Sequence, residues 1–177
     1  MRIQFLVAGF VLCLSLPALA QQTPAVEVSG GYSFVRDQEV EENFQGWLTS
    51  VAGNFNQWFG IAGEVGGNYK TVQVLGTDVD LSLHSFLAGP RFSARQTQNV
   101  TPFGQILLGA VRGSGSVLGE GETATDFALQ PGGGVDFRLR PRFGICVGAD
   151  YRRILAEDED TNEFRFHVGI VLGAGMW

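Results

Sequence analysis

Cysteine is nearly absent from this chain. There are two among 177 residues, and Cys13 lies in an N-terminal apolar run, so removal of a leader leaves Cys146 alone. A lone cysteine forms no internal disulfide, which excludes the small, disulfide-stapled secreted modules. A second long apolar run is also missing. No later stretch approaches the roughly 20 residues that a membrane-spanning helix needs. There is no Pro/Gly/Ser-rich linker and no shift of composition to mark a second domain, so the length suits one. Positive charge is short too. Twelve Lys and Arg face 18 Asp and Glu, for a net charge of −6, and an acidic balance argues against nucleic-acid binding.

What the chain does have begins at its N-terminus. Arg2 precedes an apolar run from Ile3 to Leu16, then Pro17 and the small-residue site Ala18-Leu19-Ala20. This reads as a secretory signal peptide over residues 1–20, cleaved after Ala20. The mature domain is then 21–177, with a charge of −7 once Arg2 is lost. Gln21, not cysteine, stands directly after the cleavage site, so a lipoprotein anchor is not expected. Glycine is abundant, 25 of 177 residues, about twice the usual share of about 7%. Alongside β-branched and aromatic residues, it points to strands with tight turns and crowded interiors.

The C-terminal stretch carries the plainest signal. Phe164, Phe166, Val168, Ile170, Leu172, Ala174 and Met176 share one parity; Arg165, His167, Gly169, Val171, Gly173, Gly175 and Trp177 share the other. In a strand these are opposite faces, one wholly apolar, the other charged and then small. Seven earlier segments alternate likewise. Val26, Val28, Tyr32 and Phe34 oppose Glu27, Ser29, Gly31 and Ser33, and Trp47, Val51 and Phe55 are in phase. Phe59, Ile61, Val65 and Tyr69 oppose Gly60, Glu64, Gly66 and Asn68. In the fourth segment, 81–93, Leu81 and Leu83 are out of phase with Phe86, Ala88 and Phe92, which predicts a β-bulge near His84. The fifth, 101–113, is apolar on both parities around Ile106-Leu107-Leu108, so its facing stays open. The sixth sets Phe127, Leu129, Val135, Phe137 and Leu139 against Asp126, Gln130, Gly132, Gly134, Asp136 and Arg138. The seventh sets Phe143, Ile145, Val147 and Tyr151 against Gly144, Cys146, Gly148, Asp150 and Arg152.

The connections differ in character. Those near 36–44, 70–80, 114–125 and 156–163 read as longer and acidic. Asn56-Gln57 and Arg140-Pro141-Arg142 read as tight turns, and 94–100, between them, as longer. Short turns at one end and longer loops at the other, with an even number of strands, is the pattern of an outer-membrane barrel. Alternation alone does not separate such a barrel from a soluble sandwich. Three features favour the membrane: the export signal, aromatics near strand ends (among them Trp47, Trp58, Tyr69 and Tyr151) as in interfacial girdles, and glycine on the charged parity, where strands crowd a narrow lumen. In the bilayer core every backbone polar group must pair internally, which only a closed sheet achieves. The expected fold is all-β: a closed, eight-stranded, antiparallel up-and-down transmembrane β-barrel in the outer membrane of a Gram-negative-type cell.

The stretches G-W-L-T-S-V-A-G-N-F-N-Q-W-F-G (46–60), F-L-A-G-P-R-F-S (86–93), T-P-F-G-Q-I-L-L-G-A (101–110), Q-P-G-G-G-V-D (130–136) and F-R-F-H-V-G-I-V-L (164–172) occur in an order that resembles the OmpA-type eight-stranded outer-membrane β-barrel family, without a peptidoglycan-binding tail. The likeness runs over the whole mature chain and is nearest to small barrels of acidobacterium-like genomes. Trp177 departs from the pattern, being out of phase with the lipid-side residues. That implies a bulge near Gly173–Gly175 or an imperfect assembly signal.

The resemblance implies a lumen filled by ion pairs rather than an open pore, as does the cost of burying an isolated charge. The expected network is Glu27, Glu64, Asp136 and Asp150 paired among Arg91, Arg138, Arg152 and Arg165, with His167 on the same inner face. Catalysis is not expected. His84 and Ser85 are strand neighbours and point to opposite faces, and His167 shares its parity with no serine. Asp158-x-Asp160-x-Asn162 begins like a calcium loop, but Glu163 stands where that loop needs glycine. Solvated acidic loops and weak divalent-cation bridging to lipopolysaccharide phosphates both remain open for it. The glycine runs 113–115 and 132–134 lack the Lys-Ser/Thr and helix of a phosphate loop. Cys146 reads as an inert packing residue. No cofactor and no metal are expected. The expected partners are outer-membrane lipid and lipopolysaccharide, periplasmic chaperones and the outer-membrane assembly machinery, with the protein a monomer. The expected role is structural or surface-interacting: envelope integrity, with adhesion or recognition through the acidic loops. A small-solute channel is the alternative, and a lipid-modifying enzyme a more distant one.

Overall fold

Alternating sequences of this kind have one way to pair all their backbone groups in a bilayer, and the chain takes it. The computed structural model describes residues 23–37, 43–74, 77–97, 99–117, 120–156 and 160–176. The predicted leader, 1–20, and Trp177 lie outside the described residues. Eight strands follow in order: β1 Pro24–Asp37, β2 Asn43–Asn54, β3 Phe59–Val74, β4 Thr77–Ser93, β5 Val100–Val117, β6 Glu120–Arg140, β7 Phe143–Leu155 and β8 Thr161–Met176. Each is antiparallel to the next, and β8 pairs back onto β1 from Glu163 opposite Asp37 to Met176 opposite Pro24, so the sheet closes and has no edge. Both chain ends of the barrel lie with the β2–β3, β4–β5 and β6–β7 turns. In an outer-membrane barrel this is the periplasmic end.

The outer surface is apolar. Tyr32, Trp47, Val51, Ile61, Phe86, Phe127, Phe166 and Ile170 are all exposed, Phe86 by 54% and Phe166 by 55%. Along β5 the outward residues from Val100 to Ala110 are apolar or glycine, an eleven-residue run that matches the about 9–11 residues of a tilted spanning strand. The next outward row, His84, Arg112 and Thr125, is polar and paired side by side across β4, β5 and β6. This polar row closes the apolar belt at the end opposite the chain termini. At the other end Phe55, Trp58, Phe59 and Phe92 form a ring cluster with centroids 5.4–6.2 Å apart. The β2–β3 turn is held by Asn56, whose Oδ1 accepts from Trp58 N at 2.9 Å and Phe59 N at 2.8 Å.

The structure corrects four expectations. There is no bulge at His84, because β4 keeps one register with β3 from Phe92 to Thr77 and one with β5 from Ser93 to Val79. Leu83 and Leu87 face inward, where they join Ala52, Ala62, Leu107, Val111, Ala128 and Ile154 in an apolar layer inside the barrel. The phase change arises because the inner face is itself apolar there, not because the strand slips. The same layer fixes the facing of β5: Leu107 and Val111 point in, Ile106 and Leu108 out. Second, the expected long loops near 70–80 and 114–125 are mostly strand, since β3 and β4 run to within two residues of each other, as do β5 and β6. Long hairpins satisfy their own backbone, so these segments need no irregular loop. Third, of the two alternatives for Trp177 the bulge is not seen, since β8 keeps one register against β1 through Ala174 and Met176, although Gly175 takes a φ of +64°. Fourth, a register shift does occur where none was expected, between Arg138 and Arg140 at the end of β6.

Candidate functional site in the barrel lumen

Inward parity and small neighbours bring long ionic side chains to the barrel axis. Among the described residues the buried charged set is Glu27, Glu64, Asp136, Asp150 and Glu163 against Arg91, Arg95, Arg152 and Arg165, with His167 beside them. The ions form two tiers.

The periplasmic tier holds two separate pairs. Arg95 grips Glu27 in a fork, Nη2 to Oε2 at 2.7 Å and Nη1 to Oε1 at 3.2 Å, while Asn54 Nδ2 donates to Glu27 Oε2 at 2.9 Å. Arg91 Nη2 donates to Asp136 Oδ2 at 2.6 Å, and its guanidinium lies 3.8 Å from the centre of the Phe103 ring. That geometry adds a cation–π contact to the ion pair.

The second tier centres on Arg165, which is 1% exposed. Its Nη2 donates to Glu64 Oε2 at 2.9 Å and Asp150 Oδ2 at 2.7 Å, Nε donates to Asp150 Oδ2 at 3.1 Å, and Nη1 lies 2.7 Å from Glu64 Oε1. Arg152 Nε donates to Gln130 Oε1 at 2.8 Å and Nη1 to Glu163 Oε2 at 3.2 Å. Gln130 Nε2 in turn donates to Glu64 Oε1 at 3.2 Å. Two arginines, three carboxylates and one amide thus share one connected network. Glycines make the room: a Cβ on Gly132 would strike the Asp150 carboxylate, and one on Gly148 the His167 ring.

The residues expected in the network are therefore placed as follows. Glu64, Asp150, Arg165 and His167 are together, with Arg152 joined to them through Gln130; Asp136 is with Arg91; Glu27 is held by Arg95, which sequence reasoning missed. Arg138 faces the lumen rim, beside Glu27 and Asp136 on a cavity of about 20 Å³, but makes no ion pair among the described residues. Both carboxylates there are already engaged by arginines reaching from β4 and the turn after it. Glu163 was also missed. Its parity with Arg165 and His167 was the available signal, as was that of Arg95 with Arg91 and Ser93.

One constellation has the order of a hydrolytic triad. His167 Nε2 lies 3.9 Å from Cys146 Sγ, and His167 Nδ1 lies 3.2 Å from Asp150 Oδ2. A working nucleophile also needs substrate access and a site for the developing oxyanion. Cys146 is 6% exposed and packed with Phe103 and Val171 inside the barrel wall, so its thiol has little access to a substrate. His84, the other histidine, faces outward and meets the Tyr69 hydroxyl at 3.2 Å, while Ser85 faces the lumen. Of the calcium-like segment, Asp158 lies outside the described residues. Asp160 accepts from Arg153 at 2.6 Å and Asn162 from Tyr151 at 2.6 Å. No cluster of three or more metal-ligand side chains occurs among the described residues.

The family described as "outer membrane protein beta-barrel domain" matches residues 6–171. The chain belongs to that family. It is 26% identical over 162 residues to the attachment invasion locus protein of Yersinia pseudotuberculosis, covering 84% of this chain and 87% of the relative. The crystal structure of Ail, the attachment invasion locus protein of Yersinia pestis, in complex with the heparin analogue sucrose octasulfate matches with a TM-score of 0.60 at 22% identity, covering 86% of this chain and all of that one. Neisserial surface protein A matches with a TM-score of 0.71 at 14% identity, covering 87% and 99%. These structures speak for the fold. The protein is an outer-membrane barrel of Gram-negative type. The relatives come from Yersinia and Neisseria and lend no support to the acidobacterial origin that the resemblance suggested.

Proposed function

We propose that this barrel is a monomer without channel or catalytic activity, and that it acts at the extracellular end, in envelope integrity and in adhesion or recognition. One observation carries the reading. Leu107, Gln130, Arg152 and Arg165, on four different strands, are each at most 1% exposed, so the middle of the lumen is filled and function falls to the ends. An eight-stranded interior is just wide enough to be filled by its own side chains.

The extracellular end has a definite sign. Five of the 18 carboxylates are buried in the lumen, and in sequence the remaining 13 all lie in or beside the segments that join β1 to β2, β3 to β4, β5 to β6 and β7 to β8, with Arg36, Lys70, Arg112 and Arg153 near them. A polyanion such as the one bound by Ail suits a basic surface. This end suits a cationic partner, a basic patch on a facing protein or a divalent cation shared with lipopolysaccharide phosphates. Chaperones and the assembly machinery are the partners needed to reach the membrane.

Two measurements test the reading. Cells displaying the protein should adhere to immobilised polylysine in a salt-sensitive way and not to heparin; adhesion to heparin alone would overturn the recognition part. The refolded protein in planar bilayers should show no discrete openings at neutral pH. Reproducible openings would make it a small-solute channel.

A further inference from the structure

The periplasmic end carries charge of the opposite sign, and it is concentrated. Arg138, Arg140 and Arg142 fall within five residues at the β6–β7 turn. The nearby lumen carboxylates are already taken, Glu27 by Arg95 and Asp136 by Arg91. No Asp or Glu falls in the β2–β3, β4–β5 or β6–β7 turns, so the three guanidiniums are surplus positive charge among the side chains of these turns.

The backbone places one of them on the lipid side. The register shift between Arg138 and Arg140 breaks the alternation of β6. Strict alternation would send Arg140 inward after outward-facing Leu139, yet Arg140 is exposed and pairs directly with outward-facing Phe143, and Leu139 is 60% exposed. Re-aiming a side chain is what such bulges do. The result is a groove of about 450 Å³ bounded by Leu139, Arg140 and Phe143. Two walls are apolar and one is cationic. The turn is also pinned, because Gly173 N of β8 donates to Arg142 O at 3.1 Å. The Trp58–Phe59–Phe92 ring cluster lies at this same end, where aromatics mark the headgroup level.

We propose that this groove holds an anionic phospholipid of the periplasmic leaflet. Its phosphate accepts from Arg140, with Arg142 adding to the local field, and its first methylenes lie on Leu139 and Phe143. A zwitterionic headgroup brings its own cation into the same field and gains less. The site is independent of any role at the extracellular end.

The test uses the folded mature protein in nanodiscs containing equal phosphatidylglycerol and phosphatidylethanolamine, with native mass spectrometry of the lipids that stay bound on release. The wild type is expected to retain phosphatidylglycerol over phosphatidylethanolamine, by about five-fold for each arginine engaged. Arg140→Gln should lose most of that preference, Arg140→Gln/Arg142→Gln all of it, and 0.5 M salt before release should weaken it through screening. Arg153→Gln, at the opposite end and paired with Asp160, should leave it unchanged. Folding of each variant is verified by its faster migration on a gel when unheated. A folded double variant with wild-type lipid preference, or a wild type with none, overturns the proposal.

Discussion

Arg165 is the side chain whose loss should be felt most. It is 1% exposed and joins two carboxylates, Glu64 and Asp150, that are themselves 3% and 2% exposed. Arg165→Met keeps much of the volume and removes the charge. Among the described residues Glu64 then retains only Gln130, and Asp150 only His167, at 3.2 Å each. Leaving buried charge without its counter-ion costs about 3–5 kcal/mol. With a urea slope of about 2 kcal/mol/M, the unfolding midpoint in lipid vesicles should fall by about 2 M. The triple variant Arg165→Met/Glu64→Gln/Asp150→Asn strands no charge and should recover most of the loss, since a neutral replacement of a buried ion cluster is often no less stable. Unfolding followed by tryptophan fluorescence reads both. If Arg165→Met moved the midpoint by less than about 0.5 M, the cluster would be behaving like a solvated surface pair, and the idea of a dry, filled lumen would fail. A triple variant as weak as the single one would refute the electrostatic cause and leave only packing.

Three further outcomes are expected. Ile170 faces outward in the middle of β8's apolar run, so Ile170→Arg should destabilise by about 2–4 kcal/mol if it lies near the bilayer midplane; an unchanged urea midpoint would invert the assignment of faces. Cys146 should resist a maleimide in the folded protein and react fully once unfolded in urea, as scored by mass; prompt labelling in the folded state would show an accessible lumen. Gly132→Ala places a methyl group against the Asp150 carboxylate, so it should destabilise by about 1–3 kcal/mol through overpacking, whereas Gly53→Ala, with nothing within 4 Å of the added carbon, should be close to neutral.

Much of this was readable before any coordinates, and the gaps have physical causes. On β1, β3, β6, β7 and β8 the two parities differ in chemistry, so facing follows from alternation. On β4 and β5 it does not, because Leu83, Leu87, Leu107 and Val111 pack on one another inside the barrel, where chemistry like that of the lipid face is used for a different purpose. Arg95 was passed over because it lies beyond the end of a strand, in a segment that reads as a turn. Its partner Glu27 is 68 residues away and meets it only when the sheet closes. Arg138 shows the converse: its parity is right, but nearer arginines already hold the carboxylates it faces. The bulge before Arg140 left no mark in the spacing, since a one-residue shift at a strand end disturbs no hydrophobic repeat.

The pattern along the chain by itself determined the class of protein. Eight apolar-faced segments, most with clear period-two alternation, require a closed sheet wherever water is absent, because backbone pairing is local and obligatory. Tertiary structure alone decided which ions meet. Strand tilt and shear set which inward residues of non-neighbouring strands share a level, and so brought Arg165 to Glu64 across 101 positions of sequence. Burial then makes those pairings matter, since a charge stranded in the filled lumen has no water to turn to.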